Sequence, residues 1–172
     1  MDAAHFVLAP FLGFLWSCAR VFLRAPCGRQ RFNVLGALQA VTHQLLTVTT
    51  DTYITAASVC LLLEKIAAVG DETPITVVLD NASYQRCARV AACAARLEIE
   101  LLFLPPYSPN LNLIERLWGF VKSACLYNTY YATFPAFKAA ITACLTETQG
   151  QHKAALDSLL TLKFQSFRNL NQ

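Results

Sequence analysis

No Cys-x-x-Cys pair occurs in this 172-residue chain, although it carries seven cysteines, at Cys18, Cys27, Cys60, Cys87, Cys93, Cys125 and Cys144. Structural zinc draws its ligands from close pairs, so this spacing argues against it, and His43 and His152 have no ligand-like neighbours. The odd count fits no disulfide framework, and the thiols read as reduced, mostly buried side chains of a cytosolic protein. Strong net charge is missing too. Fourteen Lys plus Arg against eleven Asp plus Glu leave +3, so total charge does not announce nucleic acid and placement carries the information instead. Arg20, Arg24, Arg29 and Arg31 follow one another with no acid between them, a local excess suited either to a phosphate backbone or to a solvated loop. Nor is there a run of ~20 apolar residues, the length a bilayer span needs. The apolar stretch Phe6 to Ala19 is shorter, and Asp2 stands where a signal peptide would be basic. Secretion or membrane insertion would require that stretch to be cleaved or inserted; it reads instead as a first buried strand and the segment after it. No Gly/Ser linker, repeat or low-complexity tract divides the chain, which reads as one domain able to bury roughly two-thirds of its unfolded surface.

What is present is an α/β pattern. Phe32 to Gln39 and Leu45 to Thr49 are β-prone runs around Thr42-His43-Gln44, which predicts an antiparallel pair. Val59, Leu62, Leu63, Ile66 and Val69 form a helical stripe over Ile54 to Val69, ended by Gly70. Ile75 to Leu79 is apolar except at Thr76, as in a central strand covered on both faces. A helix is expected over Tyr84 to Leu97, then a strand over Ile99 to Leu104. Pro105, Pro106 and Pro109 stop regular structure, and Asn110 or Asn112 is placed to cap the next helix, whose stripe is Ile114, Leu117, Trp118, Val121 and Cys125. Phe134 to Thr146 and His152 to Phe164 read as two further helices.

Two acids stand out in that pattern. Asp80 closes a buried strand, at the edge where open α/β sheets place ligands, and thirty-four residues separate it from Glu115 in the first turn of a helix. Asp2, opening a segment able to add a strand beside Asp80, is the candidate third acid. Three carboxylates within about 4 Å would repel by ~4 kcal/mol per pair at an effective dielectric near 20. Two Mg²⁺ ions would remove that cost and clamp the attacking and leaving oxygens of a phosphoryl displacement. The plainer reading is that Asp80 is a turn residue and Glu115 a partner of the helix dipole. Spacing alone leaves both open.

The wording around the acids is more specific. Leu79-Asp80-Asn81-Ala82, followed by Leu104-Pro105-Pro106-Tyr107-Ser108-Pro109-Asn110-Leu111-Asn112-Leu113-Ile114-Glu115-Arg116-Leu117-Trp118, closely resembles the second and third acid blocks of DDE transposases, in the insertion sequence 630 group of the mariner superfamily. Asp2-Ala3-Ala4-His5-Phe6 resembles the first block, and Arg29 to Leu38 the second strand and its approach. The resemblance runs from Asp2 to about Ala140. It implies a ribonuclease H-like α/β fold, a mixed central sheet flanked by helices, with a catalytic domain over 1–147 and a helical extension of it over 148–172. Asp2, Asp80 and Glu115 would bind two Mg²⁺, with Mn²⁺ able to substitute, to cut element-end DNA and join it to a target. Arg24, Arg29, Arg31 and Lys122 would contact double-stranded DNA. Asn81, Tyr107, Ser108, Pro109 and Asn112 would shape the motif loops. Trp118 lies on the apolar stripe and reads as core rather than as a base-stacking residue.

Two departures from the family matter. Leu113 stands where the family commonly has proline, which loses some pre-organisation of the first helical turn. Members also carry helix-turn-helix modules and most of the first strand before the first Asp, whereas this sequence starts one residue ahead of it. The expectation is therefore an N-terminally truncated catalytic domain with an incomplete first strand and a poorly held Asp2. It would be completed by an upstream product of another reading frame, or else be an inactive remnant with weak DNA binding. A homodimer, no membrane partner and a cytoplasmic, nucleoid-associated location complete what the resemblance implies.

Overall fold

The computed structural model describes residues 1–9, 11, 18–19, 22, 30–70, 73–105, 108 and 111–164. Strand β1 (Asp2–Val7) pairs antiparallel with β2 (Arg31–Leu38), setting Asp2 against Gly36 and Phe6 against Phe32. On its other side β2 pairs antiparallel with β3 (Leu45–Thr50), as its flanking turn residues predict. Strands β4 (Ile75–Leu79) and β5 (Ile99–Phe103) form a separate parallel ladder. The two ladders meet where the Met1 ammonium donates to the Val78 carbonyl at 2.7 Å. Strand content and directions are those of the mixed sheet expected, with ladder pairing interrupted between β1 and β4.

Side-chain alternation along β1 and β2 sends successive residues to opposite faces. Ala4, Phe6, Leu8, Phe32 and Val34 enter a core closed by α3 (Leu113–Val121), α4 (Phe134–Thr146) and α5 (Lys153–Leu159). Met1 and Leu35 enter a second core with α1 (Ala56–Val69), α2 (Ala88–Arg96), β4 and β5. Asp2 shares the parity of Ala4 and Phe6 and so faces α3. The sheet is covered on both sides, which the apolar run of β4 implies.

Three expectations change. Asp2 is not poorly held: it is only 7% exposed and lies in register on β1. The helix expected from Tyr84 starts at Ala88, because Gln85 and Arg86 donate back to the Ala82 carbonyl in a turn and Cys87 is extended. The helix expected over His152 to Phe164 ends at Leu159, where the following carbonyls turn to Arg116 and His43 rather than up a helix. Among the described residues the cysteines are free thiols, Cys93 and Cys144 buried and Cys18 exposed. No helix among them is long and apolar enough to cross a membrane.

Candidate active site

Helix α3 carries the site. Ile114, Leu117, Trp118 and Val121 repeat at helical spacing and are buried against β1 and β2, which turns Glu115 toward the end of the sheet where Asp2 lies. Asn112 occupies the N-cap position, but its side chain makes no capping bond; its carbonyl accepts from the Glu115 amide at 3.2 Å. Asp80 follows the last residue of β4, and one of its oxygens accepts from the Ala82 amide at 3.4 Å. Asn81 donates its side-chain amide to the Leu104 carbonyl, tying the exits of β4 and β5 together behind Asp80.

Asp2 and Glu115 both feel the neighbouring acids. Burial raises the pKa of Asp2, Asp80 raises it further, and the Ala3 amide, the Met1 ammonium and the Trp118 indole oppose the shift. Burial also raises Glu115, followed by the charge of Asp2 and a hydrogen bond shared with it, while Lys122 opposes. Glu115 as a residue is exposed; its carboxyl end is the part turned toward Asp2, so solvent screens the shift. Burial also pulls the Met1 ammonium down to about 6, against the pull of Asp2 and Asp80.

Sequence reasoning missed several members of this neighbourhood. The Trp118 indole N–H donates to Asp2 Oδ2 at 3.1 Å in a buried contact, a role invisible in a helical stripe. The half-buried Tyr84 hydroxyl is pushed up to about 12, by burial first and then by Asp80 and Asp2, so it stays protonated and able to donate beside the acids. Next to it Gln85 is 1% exposed, and its amide faces the Tyr84 hydroxyl without completing a bond of normal geometry. Arg116, inside the acid motif, is turned away from the acids: it donates to the Leu159, Thr161 and Lys163 carbonyls and lies over Phe164.

The other expected residues divide. Lys122 begins a π-helical turn after α3 and its charge reaches Glu115. Arg31 is exposed opposite Val7, five residues along β1 from Asp2, or ~17 Å at strand rise, so the fold does not bring it to the acids. Ser108 is half-buried in the loop before α3. Arg24, Arg29, Tyr107 and Pro109 lie outside the described residues. Among the described residues no three His, Cys, Asp or Glu side chains form a ready-made metal cage. The donor set nevertheless suits a hard divalent cation. It is carboxylate oxygen throughout, and burial first and the neighbouring acids second raise Asp2 and Glu115, a cost that such a cation would relieve.

Comparison with known proteins bears on the family and the fold. The family described as DDE superfamily endonuclease matches residues 18–138, a span that includes Asp80 and Glu115 and begins after Asp2. Among solved structures, the chain is similar to a Mos1 transposase paired-end complex with left transposon end, at 13% identity and TM-score 0.62, covering 95% of this chain and 55% of that one. It is similar to the Mos1 mariner paired end complex with Mn, at 13% identity and TM-score 0.63, covering 97% and 55%. A simian T-cell lymphotropic virus intasome in complex with PP2A regulatory subunit B56 gamma matches at 18% identity and TM-score 0.53, covering 72% and 43%. The chain thus spans about half the length of the solved chains it matches. No curated protein matches it. At such identities the likeness speaks to fold, which is ribonuclease H-like α/β.

Proposed function

Because the chain belongs to the DDE superfamily of endonucleases, we propose that it is the catalytic domain of a transposase of the insertion sequence 630 group, cutting transposon-end DNA and transferring the cut strand to a target. What supports this reading is that the charge of Asp80 raises the pKa of Asp2 and the charges of Asp2 and Asp80 raise that of Glu115, so acids from separate parts of the chain act on one another. In this reading they hold two Mg²⁺, or Mn²⁺ in their place. Bound there, the metal supplies an activated water and stabilises charge on the phosphoryl oxygens.

The chain's own residues do the rest. Asp2 and Glu115, both raised above the usual carboxylate range, would have to be ionised to hold the cations. Asn81 and the Ala82 amide keep Asp80 at the mouth of β4. Lys122, whose charge reaches Glu115, would meet a DNA phosphate, and Arg24, Arg29 and Arg31 would add further contacts to duplex DNA. Tyr107, Ser108, Pro109 and Asn112 shape the loop that delivers α3. The domain boundaries, a catalytic unit over 1–147 with a helical extension over 148–172, the homodimer and the upstream partner product belong to the same proposal, as does a cytoplasmic location at the nucleoid. Leu156 and Leu160 of the extension pack in the α3 core, so the two segments would act as one body.

The test is nicking of element-end duplex by the purified chain with Mg²⁺ or Mn²⁺. Asp80→Ala and Glu115→Ala should each reduce cleavage by at least about 10²-fold, since each removes a charge stabiliser of the transition state. Cleavage that survives both changes rules this acid site out.

A further inference from the structure

We infer that Trp118 is a positioning residue for Asp2 and that Gly36 is the cradle that lets the indole reach it. The inference rests on the metal-site reading above and deepens it. Asp2 sits on a buried strand, and its carboxylate needs a partner to stop it rotating among its own backbone and the other acids. The indole N–H takes Oδ2 at 3.1 Å, leaving the other oxygen for the site. A buried indole N–H in turn needs an acceptor, and the carboxylate is the one it has.

The sheet is shaped for this contact. Gly36 lies directly opposite Asp2 in the β1–β2 register, at the point where the indole crosses β2. A Cβ at Gly36 would stand 2.8 Å from Trp118 Cη2, 2.9 Å from Cζ2 and 3.0 Å from Ile114 Cδ1. Any side chain there would push the ring off the strand and draw the N–H away from Asp2. On the other side Phe6 meets the indole edge-on, with ring centroids 6.4 Å apart and planes at 82°. Trp118 follows Glu115 by three residues, so the two share one side of α3. One helix therefore sets two of the three acids: Glu115 by carrying it and Asp2 by gripping it.

Calorimetric titration of the full chain with Mn²⁺, alongside thermal melts, separates this role from simple core packing. Trp118→Phe keeps an aromatic ring without the N–H, and Gly36→Ala keeps the indole but displaces it. Each should weaken Mn²⁺ binding by about tenfold or more, as loss of a group orienting a ligand does. Phe6→Leu disturbs the same packing without touching the N–H. It should lower the melting temperature comparably while leaving Mn²⁺ affinity within about twofold of wild type. The inference is overturned if Trp118→Phe binds Mn²⁺ like wild type, or if Phe6→Leu loses as much affinity. Asp80→Asn tells the two possible failures apart: if it binds Mn²⁺ as tightly as wild type, the metal-site reading has failed and this inference falls with it.

Discussion

Asp2 is a carboxylate in a place that does not suit its charge. It is buried and feels the charge of Asp80, its own charge raises Glu115, and burial is the largest cause of its raised pKa. The sign of the consequence is fixed by linkage. An acid whose folded pKa lies above its unfolded value binds more protons folded than unfolded, so it costs stability as pH rises through the folded value. For Asp2 and Glu115 that loss begins above their ordinary values of 3.8 and 4.5. Asp2→Asn should therefore stabilise the metal-free protein near pH 7 by on the order of 1–2 kcal/mol, because the neutral amide still accepts from the Trp118 indole. Urea denaturation should show that gain shrinking toward pH 4, while the variant gains nothing from Mn²⁺. An Asp2→Asn chain less stable than wild type at pH 7 would mean the carboxylate is not under strain. The motif around Asp80 and Glu115 was legible in the sequence, since adjacent residues spell it out. The grip on Asp2 was not legible. It needs Gly36 and Trp118 brought together by a strand register and a helix docking, and neither leaves a trace in residue spacing.

Helices and strands were predicted well where one apolar stripe decides them, and less well at their ends. Helix α4 falls at Phe134–Thr146, where the sequence places it, with Thr133 accepting from the Ala136 amide as its cap. Helix α5 is shorter than its leucines suggest because its last carbonyls are claimed by groups distant in sequence. The Leu160 carbonyl faces His43 Nε2 at 3.1 Å, and the Thr161 and Lys163 carbonyls accept from Arg116 at 2.7 and 2.9 Å. Carbonyls freed at a helix end must find donors, and cationic donors also suit the dipole there. Arg116 thus fastens the segment after α5 to the first turn of α3, beside Glu115. Arg116→Ala should cost about 1.5–3 kcal/mol, the range for hydrogen bonds to a charged group. Arg116→Lys should recover little, because a single ammonium does not span three carbonyls. Hydrogen exchange should quicken at Leu160 to Phe164 in both variants. Unchanged exchange there, with weaker DNA binding instead, would make Arg116 a phosphate contact.

At the scale of the whole molecule, the acids lie on the seam between two cores. Asp2 and Glu115 come from β1 and α3, on the face closed by α4 and α5, whereas Asp80 follows β4, whose Val77 and Leu79 belong to the core of α1 and α2. Between β1 and β4 the hydrogen bond recorded is that from the Met1 ammonium to Val78. A cation held by all three acids would therefore staple the two halves where their ladder is interrupted, besides removing the repulsion among its ligands. Binding to the folded chain alone stabilises by ~2.7 kcal/mol at a hundred times the dissociation constant. For a chain of this size that is a rise in melting temperature of about 5–10 °C. The location of the gain is the sharper reading. Under saturating Mn²⁺, amide exchange should slow in β4 and β5 together with β1 and α3, and Asp80→Asn should abolish the effect in both halves at once. Protection confined to α3 and β1 would show that Asp80 stands outside the metal site and that the seam is held by packing alone.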